Sequence, residues 1–132
     1  MLIKHKHELQ NTSRAIQTKD WSTIRFLLEE DGVGITVTDV NIHEGSDAVY
    51  HYKHHTEVCY CLQGNATLED LQTGQVHQVR PGTLWVSRKG ERFRFVAKVH
   101  TRLISIFIPA LLGTEVNDEE GSFPLLGGDE KP

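Results

Sequence analysis

Apolar residues recur at every second position over most of the chain, in short runs closed by glycine-containing turns. Val33, Ile35 and Val37 alternate with smaller or polar neighbours in the run Val33–His43, which ends at Glu44-Gly45. A period of two is the strand period, because successive side chains leave a strand on opposite faces. The same pattern predicts strands over Trp21–Leu28, Val49–Leu62, Asn65–Leu71, Gln75–Val79, Thr83–Ser87, Arg92–Val96 and Thr101–Ile108. Turns at Glu30-Asp31-Gly32, Gln63-Gly64, Thr73-Gly74, Arg80-Pro81-Gly82 and Arg88-Lys89-Gly90 separate them. Only His7–Ile16 reads as helical. Many short, evenly spaced strands predict an all-β sandwich or small barrel. The last strand, LISIFIP, is apolar on both faces and fits a central or dimer-covered position. There is no internal repeat, so residues 1–132 read as one domain, with 118–132 an acidic, partly flexible C-terminal tail.

Composition narrows the function. A chain of 132 residues with a formal net charge of −4 argues against nucleic acid as the main partner. No Lys/Arg run suits an anionic membrane. The opening MLIKHKHELQ has no apolar segment behind its basic residues, and no later run is long enough to span a bilayer. A cytoplasmic protein is expected. Cys59 and Cys61 lie two apart in one predicted strand. A bridge there would be strained, so free, buried thiols are expected.

The stretch VYHYKHHTEVCYC, Val49–Cys61, concentrates metal-binding side chains. Read as one continuous strand, it places His51, Lys53, His55, Glu57, Cys59 and Cys61 on one face and Tyr50, Tyr52, His54, Val58 and Tyr60 on the other. Same-face neighbours stand about 6–7 Å apart, so one strand can offer an ion about two ligands. Glu57, with His51 or His55, is the candidate metal set, and Lys53 opposes a cation. The alternative for Glu57 is a buried carboxylate paired with Lys53 or His55.

The spacing of Gly45, His51, Lys53, Glu57 and Gly64 resembles the first motif of the cupin superfamily, small barrels with an internal metal. Lys53 stands at the motif's second histidine, and Trp85 stands where a histidine should follow Pro81-Gly82. Within that superfamily, WSTIRFLLEEDGVG, HYKHHTEVCYC, RPGTLW and FIPALLGTEVNDEEGSFPL are similar to the ectoine synthase family, in the right order from about Trp21 to Leu125. The resemblance implies a single-domain cupin that is dimeric, cytoplasmic and Fe(II)-dependent. It would close N-gamma-acetyl-2,4-diaminobutyrate, or a related acetylated diamino acid, into a ring with loss of water, as a hydro-lyase.

Carried over residue by residue, the resemblance places Trp21, Arg25, Tyr52, His55, Phe107, Pro109 and Glu115 in the substrate pocket. It implies acid or base roles for Glu57, His55 and Glu115. Of the family's glutamate, tyrosine and histidine metal ligands, Glu57 is kept, while Trp85 and Phe93 occupy the other two positions. Pocket departures also occur at Val40, Ser105 and Asn117, where the family has threonine, cysteine and histidine. Neither Trp85 nor Phe93 can coordinate iron. The second reading is therefore a non-catalytic cupin in which Trp85 and Phe93 join Trp21, Tyr52 and Phe107 as an aromatic cage for a small zwitterion or cation.

Overall fold

A computed structural model describes residues 1–124. A single helical turn, α1 (Lys6–Leu9), precedes ten strands: β1 (Ala15–Gln17), β2 (Trp21–Arg25), β3 (Thr36–Ile42), β4 (Asp47–His51), β5 (Thr56–Gln63), β6 (Ala66–Asp70), β7 (Val76–Val79), β8 (Leu84–Ser87), β9 (Arg92–Ala97) and β10 (Thr101–Ile108). A 3₁₀ turn, Glu29–Asp31, follows β2. No helix among the described residues is long and apolar enough to cross a membrane.

The expected helix over His7–Ile16 is cut short after Leu9. The Thr12 hydroxyl donates to the Leu9 carbonyl at 2.7 Å and accepts the Arg14 amide at 3.2 Å. That local turn competes with helix propagation. The chain beyond it pairs with β2, Ala15 opposite Ile24.

The strands form two antiparallel sheets, one ordered β1-β2-β3-β10-β5-β8 and the other β4-β9-β6-β7. Their facing sides supply the core, with Trp21, Ile42, Cys61, Leu103 and Phe107 from the first sheet and Tyr50, Ala66, Leu68, Phe93 and Phe95 from the second. β10 lies between β3 and β5, which explains a run apolar on both faces. Its outward residues Ile104 and Ile106 stand opposite Tyr60 and Val58 of β5, which in turn stand opposite Leu84 and Val86 of β8. Tyr60, Leu84, Val86 and Ile108 are exposed. The outer face of the larger sheet is thus an open apolar surface.

The predicted strand Val49–Leu62 is in fact two. β4 ends at His51, the chain bends at Lys53-His54, and β5 begins at Thr56 in the other sheet. An odd step from Tyr52 to His55 crosses the bend, so the inward parity changes. Tyr50 and Tyr52 point inward before the bend, and His55, Glu57, Cys59 and Cys61 point inward after it. The single-strand reading had put the tyrosines on the opposite face from Glu57. They share its interior because the two segments belong to facing sheets.

Gly64, the last glycine of the barrel motif, joins β5 to β6 at φ 112° and abuts β10. A Cβ there would lie 2.6 Å from the Thr101 Cα and 2.8 Å from the His100 carbonyl oxygen, neither of which can swing away. Gly64→Ala should therefore destabilise the fold by roughly 2–4 kcal/mol. Urea unfolding measures this, and a midpoint equal to the parent's would refute the close approach.

Candidate functional site

The interior leaves a cavity of about 50 Å³ between the sheets, lined from both sides by Trp21, Arg25, Tyr50, Tyr52, Glu57, Cys59, Trp85, Phe93, Phe95, Ser105, Phe107 and Phe123, with Thr23, Thr38, Val40, Ile42 and Leu103 completing the wall. Strand register sets the placement. Phe107, Glu57 and Ser87 face inward in one row across β10, β5 and β8, and Ser105, Cys59 and Trp85 form the next row. From the other sheet, Phe93 stands opposite Tyr50. A second cleft of about 390 Å³ opens beside the edge strands β7 and β8 and shares Trp85 and Phe93 with the cavity. Those two rings therefore stand between the two spaces.

Aromatic packing fixes the walls. Phe93 stacks on Tyr50 with ring centres 5.4 Å apart, and Trp85 stacks on Phe95 at 5.7 Å. Tyr52 meets Phe107 edge-on at 5.2 Å and lies 4.8 Å from Phe123. Such contacts hold each ring in one orientation.

Glu57 is buried and is reached by neither of its expected cationic partners. Lys53 pairs instead with Glu120 at 2.6 Å, and His55 is absent from the cavity wall. The Ser105 hydroxyl donates to Glu57 Oε2 at 2.6 Å, and the Cys59 thiol donates to Ser105 Oγ at 3.6 Å. Desolvation raises the Glu57 pKa to about 7, against smaller opposing effects of the Ser105 and Cys59 hydrogen bonds. Burial also pushes the Cys59 thiol well up, so it is an inert thiol in the wall.

Arg25 is buried at the end of β2, in the same sheet as Glu57 with β3 and β10 between their strands. Its Nη1 donates to the Gly113 carbonyl at 2.9 Å and its Nη2 to the Glu115 carbonyl at 2.6 Å. The Glu115 carboxylate accepts the Leu112 and Gly113 amides at 2.7 and 2.8 Å and lies 4.0 Å from Arg25. It is thus committed to the turn that holds Arg25 and does not line the cavity. Asn117 likewise acts from behind the wall: its Oδ1 accepts the Trp21 indole N–H at 3.0 Å, and its Nδ2 donates to the Tyr52 hydroxyl at 3.4 Å.

Of the site residues expected from sequence, Trp21, Arg25, Tyr52, Glu57, Trp85, Phe93 and Phe107 converge on the cavity. His55 is buried edge-on to Phe107 and Phe123, where burial lowers its pKa and favours the neutral ring. Pro109 is exposed on the segment after β10. His51 turns outward, its Nε2–H donating to the Gly90 carbonyl at 3.1 Å. It cannot join Glu57 on one ion. Tyr50, Phe95 and Phe123 complete the wall and were not anticipated. Tyr50 was hidden by the parity change. Phe123 arrives on the C-terminal segment read as tail: Gly121, Ser122 and Phe123 are buried, and the His51 amide donates to the Gly121 carbonyl at 3.0 Å. Residues 125–132 of the expected flexible tail lie outside the described residues.

The donor set does not fit a resident transition metal. Glu57 and Cys59 are the cavity's carboxyl and thiol, and burial raises the pKa of the Tyr50 and Tyr52 phenols and keeps them neutral, so the three or four ligands an ion needs are not assembled. Among the described residues no group of three His, Cys, Asp or Glu side chains could hold one.

Two antiparallel sheets closed around an internal cavity define a cupin. An RmlC-like cupin from Shewanella frigidimarina shares the fold, with a TM-score of 0.59 at 15% identity over 72% of this chain and 81% of that one. The chain belongs to the ectoine synthase family, whose family model matches residues 1–127. It is 36% identical to the L-ectoine synthase of Oceanobacillus iheyensis over 126 residues, covering 96% of this chain and 98% of that protein. It is 33% identical to the L-ectoine synthase of Mycolicibacterium vanbaalenii over 124 residues, covering 94% and 95%. The crystal structure of ectoine synthase from P. lautus superposes with a TM-score of 0.85 at 34% identity, covering 100% of this chain and 96% of that chain.

The state of Glu57 has a measurable consequence. Its pKa is raised from 4.5 to about 7 on folding. Between those values the folded chain keeps a proton that the unfolded chain has released, so this group's contribution to stability falls as pH rises through that window and levels off above it. Glu57→Gln should stabilise the protein by on the order of 2–3 kcal/mol at pH 8. The difference should vanish near pH 4. Denaturant titrations across this range test it, and a gap that does not change with pH would contradict it.

Proposed function

We propose that the protein binds an N-acetylated diamino acid within the barrel and closes it to a cyclic amidine with loss of water. The ectoine precursor N-gamma-acetyl-2,4-diaminobutyrate is the first candidate substrate. The supporting observation is that Trp21, Arg25, Tyr52 and Phe107, pocket positions in the resemblance to ectoine synthases, all line one cavity in a chain matched nearly end to end by such enzymes.

Ring closure forms a C–N bond from the free amine to the acetyl carbon and breaks the carbon–oxygen bond. The oxygen leaves as water with the two hydrogens of the amine. Arg25, with Nε–H not engaged by the protein, can hold the substrate carboxylate. The aromatic rings accommodate the positive end of the zwitterion and the amidinium product. Glu57, uncharged below about pH 7 and bonded to Ser105, can pass a proton to the departing oxygen.

One observation favours a second reading. Trp85 and Phe93, at two positions that are metal ligands in the resembled family, are locked in aromatic stacks. A cavity so lined would also suit a cupin that holds the zwitterion without converting it. Chelator-treated protein incubated with the acetylated diamine, followed by NMR, separates the two readings. The expected result is ectoine formation that added ferrous iron does not change. Binding without product, beside an active Oceanobacillus enzyme, would leave the binding function alone.

We also infer a homodimer joined through the outer face of the larger sheet, and a cytoplasmic setting in keeping with the free thiols Cys59 and Cys61. Val58, Tyr60, Leu84, Val86, Ile104 and Ile106 cluster on that face, a contiguous apolar surface of the kind that proteins cover. Ile106→Glu should convert a dimer to a monomer in light scattering, with the circular dichroism unchanged. A parent protein that is already monomeric would remove the inference.

A further inference from the structure

Three buried donors in the cavity wall have no acceptor among the described residues: the hydroxyl of Tyr50, the indole Nε1–H of Trp85 and the Nε–H of Arg25. Buried polar groups are ordinarily paired, and a cluster of unpaired ones facing one space marks a place for a partner. Indole and guanidinium nitrogens can only donate. The partner they share in kind is therefore an acceptor oxygen, such as an amide carbonyl or a carboxylate.

Their surroundings keep them in place. Tyr50 is clamped by Phe93, and Trp85 by Phe95, so neither ring can turn to seek another acceptor without breaking a stack. Trp85 stands opposite Cys59 in the strand register, and Tyr50 stands opposite Phe93 in the register of the facing sheet. Both donor residues line the same cavity as Glu57 and Cys59. An acetamide group has one acceptor oxygen beside a methyl group, which matches two donors set among Phe93, Phe95 and Leu103.

We propose that Tyr50 and Trp85 form a metal-free binding site for a ligand oxygen, holding an acetyl carbonyl through O–H and N–H donation inside the barrel cavity. The identity of the carbonyl as that of an N-acetylated diamino acid rests on the functional reading above; the donor pair itself rests on the geometry. Tyr50 and Trp85 are then specificity-determining residues, and Trp85 supplies a polar contact from a position that sequence alone marks as a lost ligand. Carboxylates, which also offer an acceptor oxygen, are the competing occupants.

Nitrogen-15-labelled, chelator-treated full-length protein provides the test, because its two indole N–H signals come from Trp21, already bonded to Asn117, and Trp85. Trp85→Phe assigns the peaks. N-gamma-acetyl-2,4-diaminobutyrate should move the Trp85 signal downfield, and so should N-methylacetamide at high concentration, with sodium acetate as the carboxylate arm. By calorimetry, Tyr50→Phe and Trp85→Phe should each weaken binding of the acetylated diamine about tenfold, consistent with the loss of one hydrogen bond. A bound ligand that leaves the Trp85 signal in place, or affinities within twofold of the parent in both variants, would overturn the donor pair. A response to N-methylacetamide without binding of the diamine would support the donor pair and refute the functional reading. A response to acetate alone would refute the acetyl assignment. No response of Trp85 to any of the three would refute the donor pair even if a variant proved unfoldable.

Discussion

The cavity depends on a buried cation. Arg25 is 1% exposed, and its guanidinium is held by the carbonyls of Gly113 and Glu115, with the Glu115 carboxylate 4.0 Å away. An uncompensated charge at that depth would cost several kcal/mol, so the chain after β10 must come back across the barrel to satisfy it. Everything that segment carries follows. Asn117 is delivered to Trp21 and Tyr52, and Phe123 is placed among Tyr52, Phe107 and the Arg25 guanidinium, whose carbon lies 5.5 Å from the ring centre. A segment with no regular secondary structure is thereby made part of the wall.

Two positions decide what chemistry that wall can support. Trp85 on β8 and Phe93 on β9 present aromatic rings to the cavity. Register fixes where these side chains go whatever their identity, so substitution changes the chemistry and not the architecture. The rings do more than fill space. They close the cavity towards the neighbouring cleft, and one of them brings an N–H that no group among the described residues accepts.

The fold was legible where alternation and turns agree. Seven strands were anticipated within a few residues, because turns such as Thr73-Gly74 bound them and because inward residues alternate along each. Part of the wall was legible through motif resemblance, since Trp21, Arg25, Tyr52, Glu57 and Phe107 all line the cavity. Two physical facts escaped. A two-residue bend at Lys53-His54 hands the chain from one sheet to the other, and nothing in the polar run HYKHHT marks it against a continuous strand. Tyr50 was therefore assigned to the wrong face. Likewise, the buried Gly121-Ser122-Phe123 sits after the acidic run Asp118-Glu119-Glu120, which by composition reads as solvated tail. What buries it is the distant demand of Arg25, a long-range term invisible to local patterning. Glu115, which looks like a catalytic carboxylate in a one-dimensional reading, is for the same reason part of the Arg25 mount.

The side chains around Glu57 and its protonation state are linked electrostatically. Beside a divalent cation a buried carboxylate is ionised, because the cation repays its desolvation. Glu57 here meets the Ser105 hydroxyl, which in turn accepts from the Cys59 thiol. Burial then favours the neutral acid, which is the direction and cause of its shift. The cavity thus presents an uncharged acid and neutral donors beside Arg25, its charged wall residue. A ligand suited to such a space is one with a single negative end for Arg25 and polar but uncharged atoms elsewhere near Glu57. An acetylated amino acid meets that description through its carboxylate and its acetyl carbonyl, and a dicarboxylate does not.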